Sequence, residues 1–142
     1  MNAPQLSPRS ITLPNDVQEV PSLAAFIEEV CEALNLDMGT TMQLNLAMEE
    51  AVVNVMNYAY PEGTVGDVRI EAQCDGARLT FVMTDSGKPF DPTVAAEADT
   101  TLGVDERPIG GLGIFLVRQI MDEVEYQRIE GQNVLTLHKK IG

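Results

Sequence analysis

The chain has no tryptophan, one histidine, two cysteines, and nine basic residues against 22 acidic ones. Each scarcity removes a class of function. With His138 as the sole imidazole there is no histidine pair for zinc and no second partner for a histidine-based triad, so it reads as an ordinary strand residue. Cys31 and Cys74 lie far apart and form no CxxC, which makes them buried thiols rather than a disulfide or metal ligands. A net charge of −13 excludes a broad nucleic-acid surface, because phosphate backbones are bound by neutralising Lys and Arg. A phosphorylated ligand on such a chain needs a metal ion or oriented backbone amides. No apolar run approaches the ~20 residues that span a bilayer. The start, MNAPQLSPRS, lacks the basic segment and apolar core of an export signal. Residues 1–9 read as a flexible polar tail, and the expectation is a cytoplasmic protein with no membrane partner. The phosphate-loop pattern GxxxxGK[ST] is absent, and Gly111–Leu112–Gly113 runs into Ile114 and Phe115 without the third glycine of a dinucleotide fingerprint.

What remains is a 142-residue chain, 44% apolar, expected to form a single domain over residues 1–142. Periodicity predicts a short strand at about 10–13, a helix at about 17–34 and a second helix from Thr40 or Thr41 to Tyr58. The period then changes from 3.6 to 2. VRIEAQC and ARLTFVMTD flank Asp75–Gly76 as a hairpin, in which Leu79, Phe81 and Met83 alternate with Thr80, Val82 and Thr84. Residues 86–109 have no sustained period and form a long loop. A helix at about 112–121 and a last hairpin, VEYQRI and NVLTLHKK around Gly131, complete the chain. This order implies an α+β two-layer sandwich: a mixed, mostly antiparallel sheet with helices on one face.

Three places break local rules. On the second helix Glu50, Asn54 and Asn57 share one narrow stripe, while Leu44, Met48, Ala51, Val52, Val55 and Ala59 cover much of the rest. Asparagine is a poor interior helix residue. The stripe is therefore either a solvated face or a base and a neutral oxygen ligand aimed at one point. In TDSGKPFDP, Asp85 falls on the apolar side of its strand's alternation, as a turn residue or as a buried acceptor for a ligand's N–H groups. Gly87 beside it permits close approach of a ligand or of backbone. In ERPIGGLGIFLVRQIMDEV the glycines open an apolar helix, either as a bare first turn or as an anion cradle.

In this order and spacing, EEAVVN, DSGKPFDP and GGLGIFLVRQIMDEV resemble the GHKL, or Bergerat-fold, ATP-binding superfamily, and within it the anti-sigma-factor serine-protein kinases. The resemblance covers nearly the whole chain. It implies ATP and Mg²⁺ as cofactors, with Glu50 as general base and Asn54 as the magnesium-coordinating asparagine. It implies Asp85 as the acceptor of the adenine amino group and Gly87 as the first glycine of the following box. Gly111 and Gly113, with Leu112 between them, match the second glycine box that holds the phosphates; Asn57 joins the nucleotide-binding set from its place on the stripe. Residues 86–109 would be the ATP lid. The chain departs from the family at Pro89, where a second glycine is usual, and at Ile109, where some members carry an arginine for the γ-phosphate; Arg107 lies just upstream. The partners implied are a STAS-type anti-anti-sigma protein as substrate and a sigma factor, with homodimers common in the family. Two other functions fit the pattern: a nucleotide-gated binding module without kinase activity, and a detached histidine-kinase catalytic domain. The last lacks any phospho-acceptor histidine, since His138 lies outside a dimerisation helix pair.

Overall fold

A computed structural model describes residues 5–60, 66–91 and 109–141; for 5–7, 17 and 109–114 it describes the backbone alone. The elements are β1 (Gln5–Pro14), a short 3₁₀ turn (Val17–Glu19), α1 (Val20–Ala33), α2 (Met38–Tyr58), β2 (Asp67–Asp75), β3 (Arg78–Asp85), α3 (Ile109–Ile120), β4 (Glu123–Ile129) and β5 (Gln132–Lys140). The strands form one five-stranded sheet in the order β1-β2-β3-β5-β4. Every pairing among the described residues is antiparallel, the limiting case of the mostly antiparallel sheet expected.

Alternation sets the two faces. Val68, Ile70, Ala72 and Cys74 of β2, Leu79, Phe81 and Met83 of β3, and Leu135 and Leu137 of β5 are buried. They meet Leu23, Ile27 and Val30 of α1, Leu44, Met48 and Val52 of α2 and Val117 of α3 in one core. Burying each such side chain stabilises the fold by roughly 1.5–3 kcal/mol. The opposite face, with Thr80, Val82, Thr84, Val134, Thr136 and His138, is only half covered.

Turn chemistry fixes the registers. Gly76 has φ +64° at the first loop position between β2 and β3, the place a type II′ turn reserves for glycine. Between β4 and β5, Glu130 (φ 47°) and Gly131 (φ 80°) both take positive φ, as in a type I′ turn.

Three boundaries differ from the sequence pattern. β1 begins at Gln5, so residues 5–9 of the expected tail belong to the sheet. Its register slips between Leu6 and Arg9 around Pro8, which lacks the N–H a regular ladder needs. α2 begins at Met38 because the Asp37 side chain accepts from Thr40 N at 3.3 Å and caps the helix. α3 begins at Ile109, so Gly110 and Gly111 lie in its first turn rather than precede it; glycine's low helix propensity masked that turn in the pattern.

The end of β3 is held against the end of α2. Lys88 N donates to Ala59 O at 2.8 Å, taking up a carbonyl that the helix terminus leaves unpaired. Gly87 makes the approach possible: a Cβ there would lie 2.4 Å from Ala59 O and 2.8 Å from its carbonyl carbon. Tyr60 adds a strap, donating from its hydroxyl to Asp67 O at 2.7 Å and accepting from Ser86 N at 3.0 Å. Gly87→Ala is accordingly expected to lower stability by about 1–3 kcal/mol, since the obstructing atoms are backbone. Urea denaturation measures this, and an unchanged midpoint would mean that the two segments are not in contact.

Candidate active site

The centre of the site is Asp85, the last residue of β3, only 3% exposed. Strand parity turns it to the helix side, in line with Leu79, Phe81 and Met83. Its Oδ1 accepts from Gly87 N and from Asn133 Nδ2, each at 2.9 Å. Burial pushes its carboxyl above the ordinary carboxylate range, opposed by those two hydrogen bonds and by the Arg128 guanidinium.

Asn133, 3% exposed on β5, belongs to this site although the sequence pattern did not single it out. Its Nδ2 donates to Asp85 Oδ1 and, at 2.8 Å, to Lys88 O; its Oδ1 accepts from Phe90 N at 3.1 Å and from the Tyr126 hydroxyl at 2.5 Å. All four hydrogen-bonding positions of the amide are used. Arg128 Nη1 donates to Gly87 O at 2.8 Å and clamps the same turn from β4. Asn133 was visible in principle. It stands on the apolar parity of its strand, ahead of Leu135 and Leu137, as Asp85 stands behind Met83.

α2 supplies the second part. Asn54 is 2% exposed, and its Nδ2 is buried with no hydrogen-bond partner among the described residues. An unmade hydrogen bond on a buried amide costs about 1–3 kcal/mol. Asn54 precedes Ala59, the point of contact with Gly87, by five residues, roughly 7–8 Å along the helix axis. Glu50 is one turn further back and half-buried, while Asn57 is exposed. The stripe thus divides: Glu50 and Asn54 slope inward and Asn57 faces solvent.

Gly111, Leu112 and Gly113 lie in the first turns of α3, which packs against α2. A helix start offers unpaired N–H groups and the positive end of the helix dipole. Arg107 and most of the expected lid, residues 92–108, lie outside the described residues. Elsewhere, His138 bonds through Nδ1 to Thr80 Oγ1 at 2.9 Å and stands near Glu123 and Glu125 on the other face of the sheet. Glu123 is there paired with Arg78 at 3.2 Å. Cys31 and Cys74 are buried thiols that form no disulfide. No helix among the described residues is long and apolar enough to cross a membrane.

The family of histidine kinase-like ATPase domains matches residues 13–139. The chain belongs to this family. Relatives of this ATPase-domain chain include the serine/threonine-protein kinase BtrW of Bordetella bronchiseptica, 30% identical over 94 residues that span 66% of each protein. The serine-protein kinase RsbW of Halalkalibacterium halodurans is 26% identical over 125 residues, 85% of this chain and 76% of that protein. RsbW of Bacillus cereus is 30% identical over 96 residues, 65% of this chain and 59% of that protein. The matched stretches cover less than two thirds of the Bordetella and Bacillus proteins' own lengths. Among solved structures, the RsbU and RsbW domains of a Mycobacterium tuberculosis protein superpose with TM-score 0.66 at 15% identity, over 95% of this chain and 32% of that one. The mycobacterial sensor histidine kinase MprB superposes with TM-score 0.53 at 19% identity, over 92% and 97%. Both bear out the fold. Membership of a histidine kinase-like ATPase family implies use of ATP.

The raised carboxyl of Asp85 has a consequence for stability. A group whose folded pKa exceeds its unfolded value stabilises the fold while protonated, and that contribution is lost as pH rises through the folded pKa. Above that pKa the Asp85 charge therefore opposes folding. Asp85→Asn keeps an oxygen for Gly87 N and Asn133 Nδ2. It is expected to melt above the unsubstituted chain at pH 7. The gain shrinks as pH falls toward the ordinary aspartate value of 3.8. Thermal unfolding across pH measures it; a lower melting temperature at pH 7 would contradict the burial of an ionised Asp85.

Proposed function

We propose that the chain is an ATP-dependent protein serine kinase and anti-sigma factor that phosphorylates a STAS-type anti-anti-sigma protein. The observation that carries this reading is the orphaned amide of Asn54, one helical turn from Glu50 on a helix locked to the Asp85 turn. The family's implied ATP use and the serine-protein kinase names of BtrW and RsbW support it.

Asp85 would orient the nucleotide. With Oδ1 taken by Gly87 N and Asn133 Nδ2, Oδ2 is the oxygen a base's amino group would meet. Asn133 holds the carboxylate in that orientation. The first turn of α3, which includes Gly111, would present backbone N–H groups to the phosphates, and Gly113 just beyond it would leave room for their approach. The donor set of Asn54 fits a magnesium ion: a neutral amide oxygen is a hard ligand, and Mg²⁺ is commonly held by one or two protein oxygens together with phosphates and water. Bound there, Mg²⁺ would neutralise phosphate charge on a chain of net charge −13. Glu50 would take the proton of an incoming serine hydroxyl as its oxygen bonds the γ-phosphorus and the bond to ADP breaks. Sequestration of a sigma factor by the same protein would complete the regulatory cycle.

Pro89 favours a second reading, a nucleotide-gated binding module. It stands in the Asp85 turn where the resembled family has glycine, and it offers no backbone N–H.

Labelled ATP, Mg²⁺ and a STAS-domain protein from the same genome test both. Phosphate transfer is expected with the unsubstituted chain, reduced roughly 10²–10⁴-fold by Glu50→Ala with ATP affinity retained. Asn54→Ala is expected to lower transfer and the magnesium dependence of ATP binding together. Transfer at full rate by Glu50→Ala would remove it as the base; ATP binding without transfer to any STAS protein would favour the binding module. Asp85→Asn, in contrast, is expected to weaken ATP binding at least tenfold by calorimetry, because an amide N–H would face the amino group.

A further inference from the structure

On α2, every fourth residue from the helix start reads Met38, Met42, Leu46, Glu50, Asn54. Positions four apart lie one above the other on a helix and drift about 40° per step. Here that drift carries the row from solvent to interior: Met38 is 79% exposed, Met42 65% and Leu46 41%, Glu50 is half-buried, and Asn54 is 2% exposed. Among the described residues, Met38, Met42 and Leu46 are three of only five large apolar side chains left exposed. They are contiguous, and they end one turn from the proposed base.

The helix that carries this row and its neighbour α1 hold charge of one sign. Between Arg9 and Arg69 the chain has no Lys or Arg, so the charged side chains of α1 and α2 are all acidic: Glu28, Glu29 and Glu32, then Glu49 and Glu50, with the exposed capping Asp37 beside them. An apolar row inside an anionic surface selects for a partner with an apolar patch rimmed by basic side chains. Methionine suits such a contact, because its unbranched, polarisable side chain adapts to the facing surface.

We propose that Met38, Met42 and Leu46 form the docking track for the protein substrate, which seats an apolar, basic-rimmed surface there and so delivers its serine hydroxyl to Glu50. The proposal rests on the kinase reading of Glu50 and adds to it where the substrate binds and what its surface carries. A second copy of this chain is the poorer occupant, since it would bring acidic helices against acidic helices.

The test uses the full chain and STAS-domain proteins of the same genome, with binding and phosphate transfer measured separately. Met42→Gln removes the apolar contact, and Met42→Lys also places a cation against the basic rim. Met42 is exposed, and ATP affinity serves as the control for folding. Calorimetry is expected to show STAS binding weakened roughly tenfold by Met42→Gln and further by Met42→Lys, with ATP affinity unchanged. Binding is also expected to weaken as salt rises. Equal STAS affinity in all three proteins would overturn the track while leaving the kinase reading intact. Binding that depends on Met42 without phosphate transfer would support the track and contradict the kinase. A dimer of the unsubstituted chain that Met42→Lys dissociates in sedimentation would overturn the proposal in favour of self-association, as would the absence of binding by any STAS protein.

Discussion

Burying the carboxylate of Asp85 is the constraint around which the rest of the molecule is arranged. An ionised group taken out of water needs fixed donors, and two of them converge on one of its oxygens. Supplying them draws three separate parts of the chain together. The turn after β3 folds back so that Gly87 N reaches Asp85, which brings that turn onto the end of α2, where only a glycine fits. β5 must lie beside β3 with Asn133 opposite Asp85, and β4 must pair with β5 so that Tyr126 and Arg128 brace Asn133 and the Gly87 carbonyl. The strand order β3-β5-β4 is what makes this possible.

Two buried asparagines show where this arrangement is complete and where it is not. Asn133 uses all four of its hydrogen-bonding positions and acts as a structural brace. Asn54, equally buried, leaves its amide nitrogen without a partner among the described residues. Polar groups in folded interiors are nearly always satisfied. The proposed nucleotide site gives the orphan its partner, in a phosphate oxygen or a water held on magnesium. Acidity then has a local meaning too: α1 and α2 repel anions, so phosphates would be admitted only where a cation and the start of α3 offset that field.

The layered fold was legible because it rests on periodicity, which a single sequence displays directly. Leu79, Phe81 and Met83 alternate, and Leu44, Met48, Val52 and Val55 recur at helical spacing. The boundaries were obscured wherever a residue acts against its propensity: Pro8 inside β1, the glycines inside α3, and Asp37 capping α2 ahead of the apolar pattern. Of the site, Glu50, Asn54 and Asp85 stood out as polar residues on faces that burial claims. Asn133 obeys the same rule. Its meaning depends on β5 lying beside β3, a pairing between residues 48 apart that no local pattern encodes. The division of the α2 stripe, with Asn54 buried and Asn57 exposed, likewise depends on how far the helix is rolled toward α3, which packing decides.

The central claim is that Asp85 and Asn54 face one bound nucleotide from two elements. A crystal structure of the chain grown with Mg²⁺ and a non-hydrolysable ATP analogue addresses it most directly. The account predicts the adenine amino nitrogen about 3 Å from the second carboxylate oxygen of Asp85, and the metal ligated by the Asn54 amide oxygen. An analogue bound elsewhere, or one that leaves the Asn54 amide without a partner, would contradict it.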